Sequence, residues 1–390
     1  MNTGKFVFTQ IISFLPARIF DRCVKHHDGN KWVKHFTCWN QLLCMMFGQL
    51  SNRESLRDLL VCINAHQPKH YHLGFGKGVS RSNLANANEK RDYRIFERFA
   101  YELIAEARQC CGLDSDFNLS IDGNVYAFDT SVIDLCLNVF WWATFRKASG
   151  AIKLHTLFDV KTFIPVFVHV TAASVHDVNG LDELNYEAGG YYIFDRGYTD
   201  FERFYTIDQR QAFFVTRARN NSRLKRIYSA KVDKTQGILC DQQAKLVGYL
   251  SYHYYPKKIR RVKFYDAEQN RTFVFLTNNF TLPATEIAML YKYRWKIELF
   301  FKWIKQHLKI KSFWGTSLNA VKIQVYCAII TYTLVAIIKS KLKLSQSTYE
   351  ILQILNVSLL DKTQLNQLFQ GFLSQDVKEQ NCIQLKINLI

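Results

Sequence analysis

Near residue 117 the spacing of apolar side chains changes from helical to strand-like, and few architectures accommodate that switch. Before it, Trp39, Leu42, Leu43, Met46, Phe47 and Leu50 recur at helical spacing, as do Phe96, Phe99, Leu103 and Ile104. A Gly- and Asn-rich stretch between them reads as a loop. Ser51 to Asp58 can cap and begin a helix after Gly48, and two readings fit that pair, a helix-turn-helix-like motif and a plain helical bundle. After the switch, Asn124 to Ile133 reads as a strand, and Ile152 to Phe158 with Phe163 to Thr171 as a hairpin about the Asp159 to Thr162 turn. Tyr191 to Phe194 and Phe213 to Thr216 read as short buried strands, with helices over Leu181 to Tyr186 and Phe201 to Gln211. Residues 219 to 275 alternate aromatic and β-branched positions with almost no helical pattern. A long helix is expected over Ala284 to Ile310, an apolar one over Ala320 to Ile338, and a helical tail beyond. Strands early and helices alternating with apolar strands later describe a mixed α/β sheet.

Charge narrows the partner. The chain carries 51 Lys and Arg against 33 Asp and Glu, a formal net charge of +18. A folded chain of that sign attracts polyanions, because neutralised phosphates release condensed counterions. Residues 219 to 275 hold 13 basic and 4 acidic residues, so +9 of the charge sits in 57 residues. Within them Lys257, Lys258, Arg260, Arg261 and Lys263 interleave with Tyr254, Tyr255, Phe264 and Tyr265, a pattern suited to backbone tracking with base stacking. The first 110 residues count 16 basic against 9 acidic. Ten cysteines are scattered without a CxxC pair, which fits reduced thiols in a cytosolic protein. Phe6 to Leu15 imitates a signal peptide but is interrupted by Thr9, Gln10 and Ser13, and the 14-residue apolar run Val325 to Ile338 is too short to span a bilayer.

Chemistry is expected at acidic residues. Tyr126 to Ser131 places Asp129 on an apolar strand, and the strand Tyr191 to Phe194 ends on Asp195, followed by Arg196, Gly197 and Tyr198. Open α/β sheets bind ligands outside the carboxyl ends of their strands, and a nearby glycine permits close approach of phosphate. A turn-capping aspartate is the plainer account of Asp195 taken alone. In the expected helix, Tyr291, Arg294, Glu298 and Lys305 lie at offsets 0, 3, 7 and 14, within a stripe of roughly 60° at about 100° per residue. Glu298 there reads either as a salt-bridged residue or as a metal ligand. Two aspartates and a glutamate are the hard oxygen donors that two-metal phosphoryl transfer uses. The sequence holds no HExxH, P-loop or GxSxG motif, which removes support for zinc hydrolysis, nucleotide use and serine hydrolysis.

Taken together, Asp129, Asp195-Arg196-Gly197-Tyr198 and Tyr291-(2)-Arg294-(3)-Glu298-(6)-Lys305 resemble the DDE transposases of bacterial insertion sequences, in particular the insertion-sequence-four family with its YREK signature. Lesser similarities run through Lys153-Leu154-His155, Phe214 to Arg217 and Trp314-Gly315. The resemblance covers about residues 75 to 335. It implies an α/β, ribonuclease H-like catalytic core interrupted by a β-rich insertion, with an N-terminal helical DNA-binding domain and a helical C-terminal tail. The expected boundaries are 1–115, 116–218, 219–275, 276–340 and 341–390. The resemblance further implies that Asp129, Asp195 and Glu298 hold two divalent ions, Mg2+ with Mn2+ as a substitute, and that Tyr291, Arg294 and Lys305 hold phosphates. Arg217, Arg196 and Tyr198 are expected to join them on DNA.

The activity so implied is cut-and-paste transposition on terminal inverted repeats. It proceeds through a hairpin and ends in transfer of a 3′-OH to target DNA. The implied partners are transposon-end and target duplexes and a second copy of the chain in a paired-end complex, with no membrane and no nucleotide cofactor. The implied location is the bacterial cytoplasm, at the nucleoid when bound. Relatives use a tryptophan of the insertion to stack on an extruded base; residues 219 to 275 contain none, and Tyr252 or Tyr254 is the available substitute. Two other readings are an inactive, transposase-derived DNA-binding protein and a structure-specific nuclease on the same fold.

Overall fold

The computed structural model describes residues 4–112, 117–135, 140–146, 149–307 and 313–370. Seven helices come first: α1 Val7–Ile12, α2 Ala17–His26, α3 Cys38–Leu50, α4 Leu56–Ala65, α5 His70–Leu73, α6 Arg81–Lys90 and α7 Arg94–Cys110. Side-chain oxygens start several of them. Thr37 and Asn40 form a capping box at α3, Ser55 caps α4 and Ser80 caps α6. Helix α6 occupies part of the stretch expected as loop, because Ser80 supplies a cap that its polar composition conceals. Helix α3 is buried along nearly its whole length, and that packing favours the plain bundle over a groove-reading pair.

Strands β1 Val125–Leu135, β2 Thr144–Arg146, β3 Ser149–Asp159, β4 Ile164–Ala172 and β5 Tyr191–Phe194 precede helix α8 Phe201–Gln209 and strand β6 Phe213–Arg217. There follow β7 Leu224–Ala230, β8 Ile238–Leu246, a short helix α9 Tyr249–Tyr254, β9 Ile259–Asp266 and β10 Arg271–Thr277. All ten strands join one sheet in the order β4-β3-β1-β5-β6-β10-β9-β8-β7, with β2 also on β3. The pairs β1–β5 and β5–β6 are parallel and the others antiparallel. The basic segment is therefore strand-rich as expected, and it extends the sheet that carries Asp129 and Asp195. Two expectations fail here. Helix α9 interrupts the insertion. Leu181 to Tyr186 is not a helix, because a single tight turn at Asp177–Leu181 presses Gly180 onto the His155 ring, where a Cβ would lie 2.7 Å from Nδ1.

The long helix also divides. Helix α10 spans Ala284–Lys292 and α11 spans Trp295–His307. Between them Arg294 N–H donates to Tyr291 O at 3.1 Å and Ile297 N–H to Arg294 O at 3.2 Å, three-residue turns that redirect the axis. The buried Tyr293 anchors the corner, its hydroxyl accepting from Asn118 N–H at 2.9 Å. Residues 308–310 of the expected helix lie outside the described residues. Helix α12, Leu318–Lys341, is long and apolar enough to cross a membrane by length and composition, yet 89% of its most apolar window is buried inside the protein. It packs against α7, α3, α6 and β4. Asn319 at its start donates to the carbonyls of Asn88, Glu89 and Arg91, fastening it to the end of α6. Helices α13 Thr348–Ser358 and α14 Leu365–Gln370 close onto the same apolar core, which runs from Phe6 to Phe369. Eight cysteines are free thiols; Cys136 and Cys382 lie outside the described residues.

Candidate active site

Parallel register brings the aspartates together. Phe128 of β1 lies opposite Phe194 of β5, so the next residues, Asp129 and Asp195, emerge side by side. Thr216 of β6 lies opposite Phe194 on the other flank, which places Arg217 beside Asp195. Asp129 Oδ1 accepts from Thr130 N–H at 2.8 Å and from the Tyr198 hydroxyl at 3.1 Å. Asp195 Oδ1 accepts from the Tyr291 hydroxyl at 3.0 Å.

The kinked helix pair supplies the rest. Arg294 reaches Asp129 Oδ2 at 3.2 Å and also bonds Glu298, so one guanidinium links two of the three expected carboxylates. Its Nε is buried and finds no hydrogen-bond partner among the described residues. Lys305 Nζ donates to Val132 O at 2.6 Å, on the strand that carries Asp129. Tyr291, Arg294, Glu298 and Lys305 thus converge on one sheet edge. Because of the kink, Tyr291 does so from α10, Arg294 from the junction and Glu298 and Lys305 from α11, and not as one stripe.

Electrostatics separates the aspartates. Burial pushes the Asp129 carboxyl above its ordinary range, against the lowering effect of Arg294. Asp195 is also partly desolvated, yet its carboxyl is held below the usual value by the Arg196 N–H, Arg294, the Tyr291 hydroxyl and the Gly197 N–H. Burial and the neighbouring Asp195 push the Tyr291 phenol up to about 12, so the hydroxyl stays protonated and donates its hydrogen bond to Asp195.

Several expected DNA contacts have other roles. Tyr198 is 5% exposed and supports Asp129 from below, so it has no surface for DNA. Arg196 is exposed. Arg260 is 6% exposed, paired bidentately with Asp241 and bonded to the carbonyls of Asn279 and Leu282; it closes the structure at the start of β9. Arg261 bonds Gln242 at 2.8 Å on the neighbouring strand. Tyr255, expected as a stacking platform, is fully buried against Phe214 and Tyr205. Lys257 and Lys258 are exposed and Lys263 half-buried, with Lys257 held by Asp208 at 2.5 Å. One supporting residue carries no sequence signal of its own. Arg219 donates to the carbonyls of Arg196 and Gly197 at 3.1 and 3.0 Å, bracing the turn after Asp195.

Comparison with known proteins follows the same residues. A family model described as the transposase DDE domain matches residues 122–334, more than half of the chain. The chain belongs to that family. A second model, a domain of unknown function designated DUF4372, matches residues 3–76. A protein of Sinorhizobium fredii named as transposase y4zB is 34% identical over 258 residues, 65% of this chain and 70% of its own length. One of Geobacillus stearothermophilus, named as the transposase of insertion sequence element IS5377, is 26% identical over 66% of this chain and 67% of its own. A Synechocystis relative, named for insertion sequence element IS4SA, is 23% identical over 67% and 73%. Transposase function follows from that membership, and DDE domains are metal-dependent.

The site fits that requirement in chemistry. Its candidate donors are all hard carboxylate oxygens, and Asp129 and Glu298 already share a cationic neighbour in Arg294. Among the described residues, no three His, Cys, Asp or Glu side chains are gathered tightly enough to close round an ion.

Proposed function

We propose that the chain is a cut-and-paste transposase of the insertion-sequence-four type, with a ribonuclease H-like core, that cleaves and joins DNA at the ends of its own element. What carries this reading is the convergence of Asp129, Asp195, Glu298, Tyr291, Arg294 and Lys305 on one sheet edge. The strand order β4-β3-β1-β5-β6, antiparallel and then parallel, supports the core assignment. Asp129, Asp195 and Glu298 would hold two divalent ions, Mg2+ or Mn2+, which supply Lewis acidity at the attacking and leaving oxygens of phosphodiester exchange. Tyr198 and Thr130 orient Asp129, Tyr291 orients Asp195, and Arg219 fixes the turn that presents Asp195. Arg294, Arg217, Arg196 and Lys305 give the phosphates cationic neighbours. Exchange of one phosphodiester for another needs neither nucleotide nor protein nucleophile, so positioning and charge stabilisation suffice. The order proposed is a first-strand nick, hairpin formation by the freed 3′-OH, reopening, and transfer of the 3′-OH to target DNA. A homodimer would hold two ends. Tyr252 and Tyr254 of α9, 47% and 41% exposed, are the stacking candidates for an extruded base.

The test is Mg2+-dependent cleavage of a duplex carrying the inverted repeat that brackets the gene. Glu298→Gln is expected to abolish cleavage while end binding stays near the native level. Cleavage at the native rate by the variant would sink the carboxylate assignment, and specific binding without cleavage by the native protein would favour a DNA-binding protein.

A further inference from the structure

Among the N-terminal helices, the segment between α2 and α3 carries an unusual tryptophan. Trp32 is 91% exposed and adopts φ +62°, a left-handed backbone conformation that bulky side chains rarely take. A large apolar ring held out in water in such a conformation is not explained by packing. Its neighbours Lys31, Lys34 and His35 are all exposed. Beside this segment lies a groove of about 570 Å³, walled on its far side by α6. Asn83, Asn86 and Lys90 line that wall. At about 100° per residue their offsets of 0, 3 and 7 keep them within roughly 60° of one another on the helix.

The chemistry of this groove is that of a nucleic-acid reader. The side-chain amides of Asn83 and Asn86 and the ammonium groups of Lys34 and Lys90 engage no hydrogen-bond partner or counter-ion among the described residues. The acidic residues at the groove are already engaged. Asp92 is held by Arg94 at 2.6 Å and faces His27 at 3.7 Å, and Asp28 sits 4.0 Å from Lys31. Arg91 is engaged internally by Gln41 and the Phe36 carbonyl. What remains for a partner is ammonium charge, two free amides and one aromatic face. Amides hydrogen-bond base edges, ammonium groups meet phosphates, and an exposed ring stacks on a base or wedges beside one.

We infer that the groove between the Trp32 segment and α6 is a second DNA-contacting surface, separate from the carboxylate edge, which reads the element's terminal repeat. Asn83 and Asn86 contact base edges, Lys31, Lys34 and Lys90 contact phosphates, and Trp32 packs against the duplex at the lip. This rests on the transposase reading given above. It assigns sequence recognition to α6 and the segment before α3, and not to the α3–α4 pair.

Binding of a labelled duplex carrying the bracketing inverted repeat, against a shuffled duplex of equal composition, tests it across a salt series. Trp32→Ala with Asn83→Ala and Asn86→Ala is expected to lower the preference for the repeat by about ten-fold or more, since each good base contact discriminates on that scale. Lys31→Ser with Lys34→Ser and Lys90→Ser is expected to flatten the salt dependence by about one unit of slope per phosphate left without its ammonium partner. All six side chains are exposed or line the groove, so a thermal melt matching the native protein is the folding control. Native preference and slope in both variants would overturn the groove while leaving the carboxylate site untouched. Failure of the native protein to prefer the repeat would overturn both readings. A change in sedimentation without DNA, with repeat preference intact, would make the patch a contact between copies of this chain and overturn the DNA assignment.

Discussion

One sheet carries charge in two regions and uses it in opposite ways. Where β5 ends beside the middle of β1, polar groups meet at a half-exposed site: Asp129, Asp195 and Glu298 are answered by Arg294, with one buried guanidinium nitrogen left unbonded among the described residues. Along β8 and β9, a few strands away, charge is consumed by the fold: Arg260 and Asp241 pair bidentately, and Arg260 closes two further carbonyls. The first arrangement keeps carboxylates within reach of a ligand, whereas the second satisfies the charges it buries. Net charge does not distinguish the two uses; hydrogen-bond satisfaction does.

The sharpest way to break this contrast is to remove one partner of the buried pair. Arg260→Ser leaves the Asp241 carboxylate unpaired and two carbonyls without a donor, and is expected to cost about 3–5 kcal/mol of stability. Urea unfolding measures it. A loss below about 1 kcal/mol, accompanied by weaker DNA binding, would return Arg260 to the DNA surface and erase the difference between the two regions.

The carboxylate region makes its own prediction through pH. His155 is fully buried opposite Thr130, its ring nitrogens bonded to the hydroxyls of Thr130 and Thr171 at 2.9 Å each. Burial, then the neighbouring His169, lower its imidazole to about 4. In the unfolded chain the ring titrates near 6.5, so between about 6.5 and about 4 the unfolded state binds a proton that the folded state refuses. Stability from this group is therefore full above about pH 6.5 and lost as pH falls towards 4, by about 3 kcal/mol at most. Unfolding midpoints measured from about pH 7.5 to about 4.5 should fall more steeply for the native protein than for His155→Gln. Parallel curves would mean that the ring is charged or solvated in the fold.

Much of the carboxylate region was legible because strands display a period of two, one carrying Asp129 within it and the other running straight into Asp195. The strands holding Asp129 and Asp195 and the hairpin after the first of them appear where the sequence places them, while the expected single helix from Tyr291 to Lys305 is divided. The kink at Tyr293–Arg294 was not legible, since apolar periodicity continues through it and the corner is marked by tertiary contacts of Tyr293, among them the bond from Asn118 to its hydroxyl and the Phe117 ring against it. Nor was the role of Tyr198, a residue next to a conspicuous Asp-Arg-Gly run that turns inward to Asp129. In the basic segment, the sequence reports charge and aromaticity but not direction. Arg260 and Tyr255 sit among exposed lysines and tyrosines in the chain, yet point into the protein. Helix α6 was hidden for another reason: its polar composition resembles a loop, and the Ser80 cap with tertiary support from Asn319 overrides weak propensity.

The smallest effect expected is also the one that separates the surface cations of the insertion from the buried one. Lys258 is exposed, Lys257 is exposed but held by Asp208 and lies over the Tyr205 ring, and Lys263 is half-buried on β9. Replacing all three with Ser is expected to leave folding near native, because surface ion pairs contribute about 0–1 kcal/mol. DNA affinity should fall, and its dependence on log salt should flatten by about one unit for each phosphate no longer neutralised, about three in all at the most. Lys258→Ser alone should account for more of that change than Lys257→Ser, since the Asp208 carboxylate already offsets the Lys257 charge. A slope unchanged in the triple variant would make the whole insertion a structural extension of the sheet, with its charge facing solvent. The DNA contacts would then belong to the carboxylate edge and to the N-terminal helices.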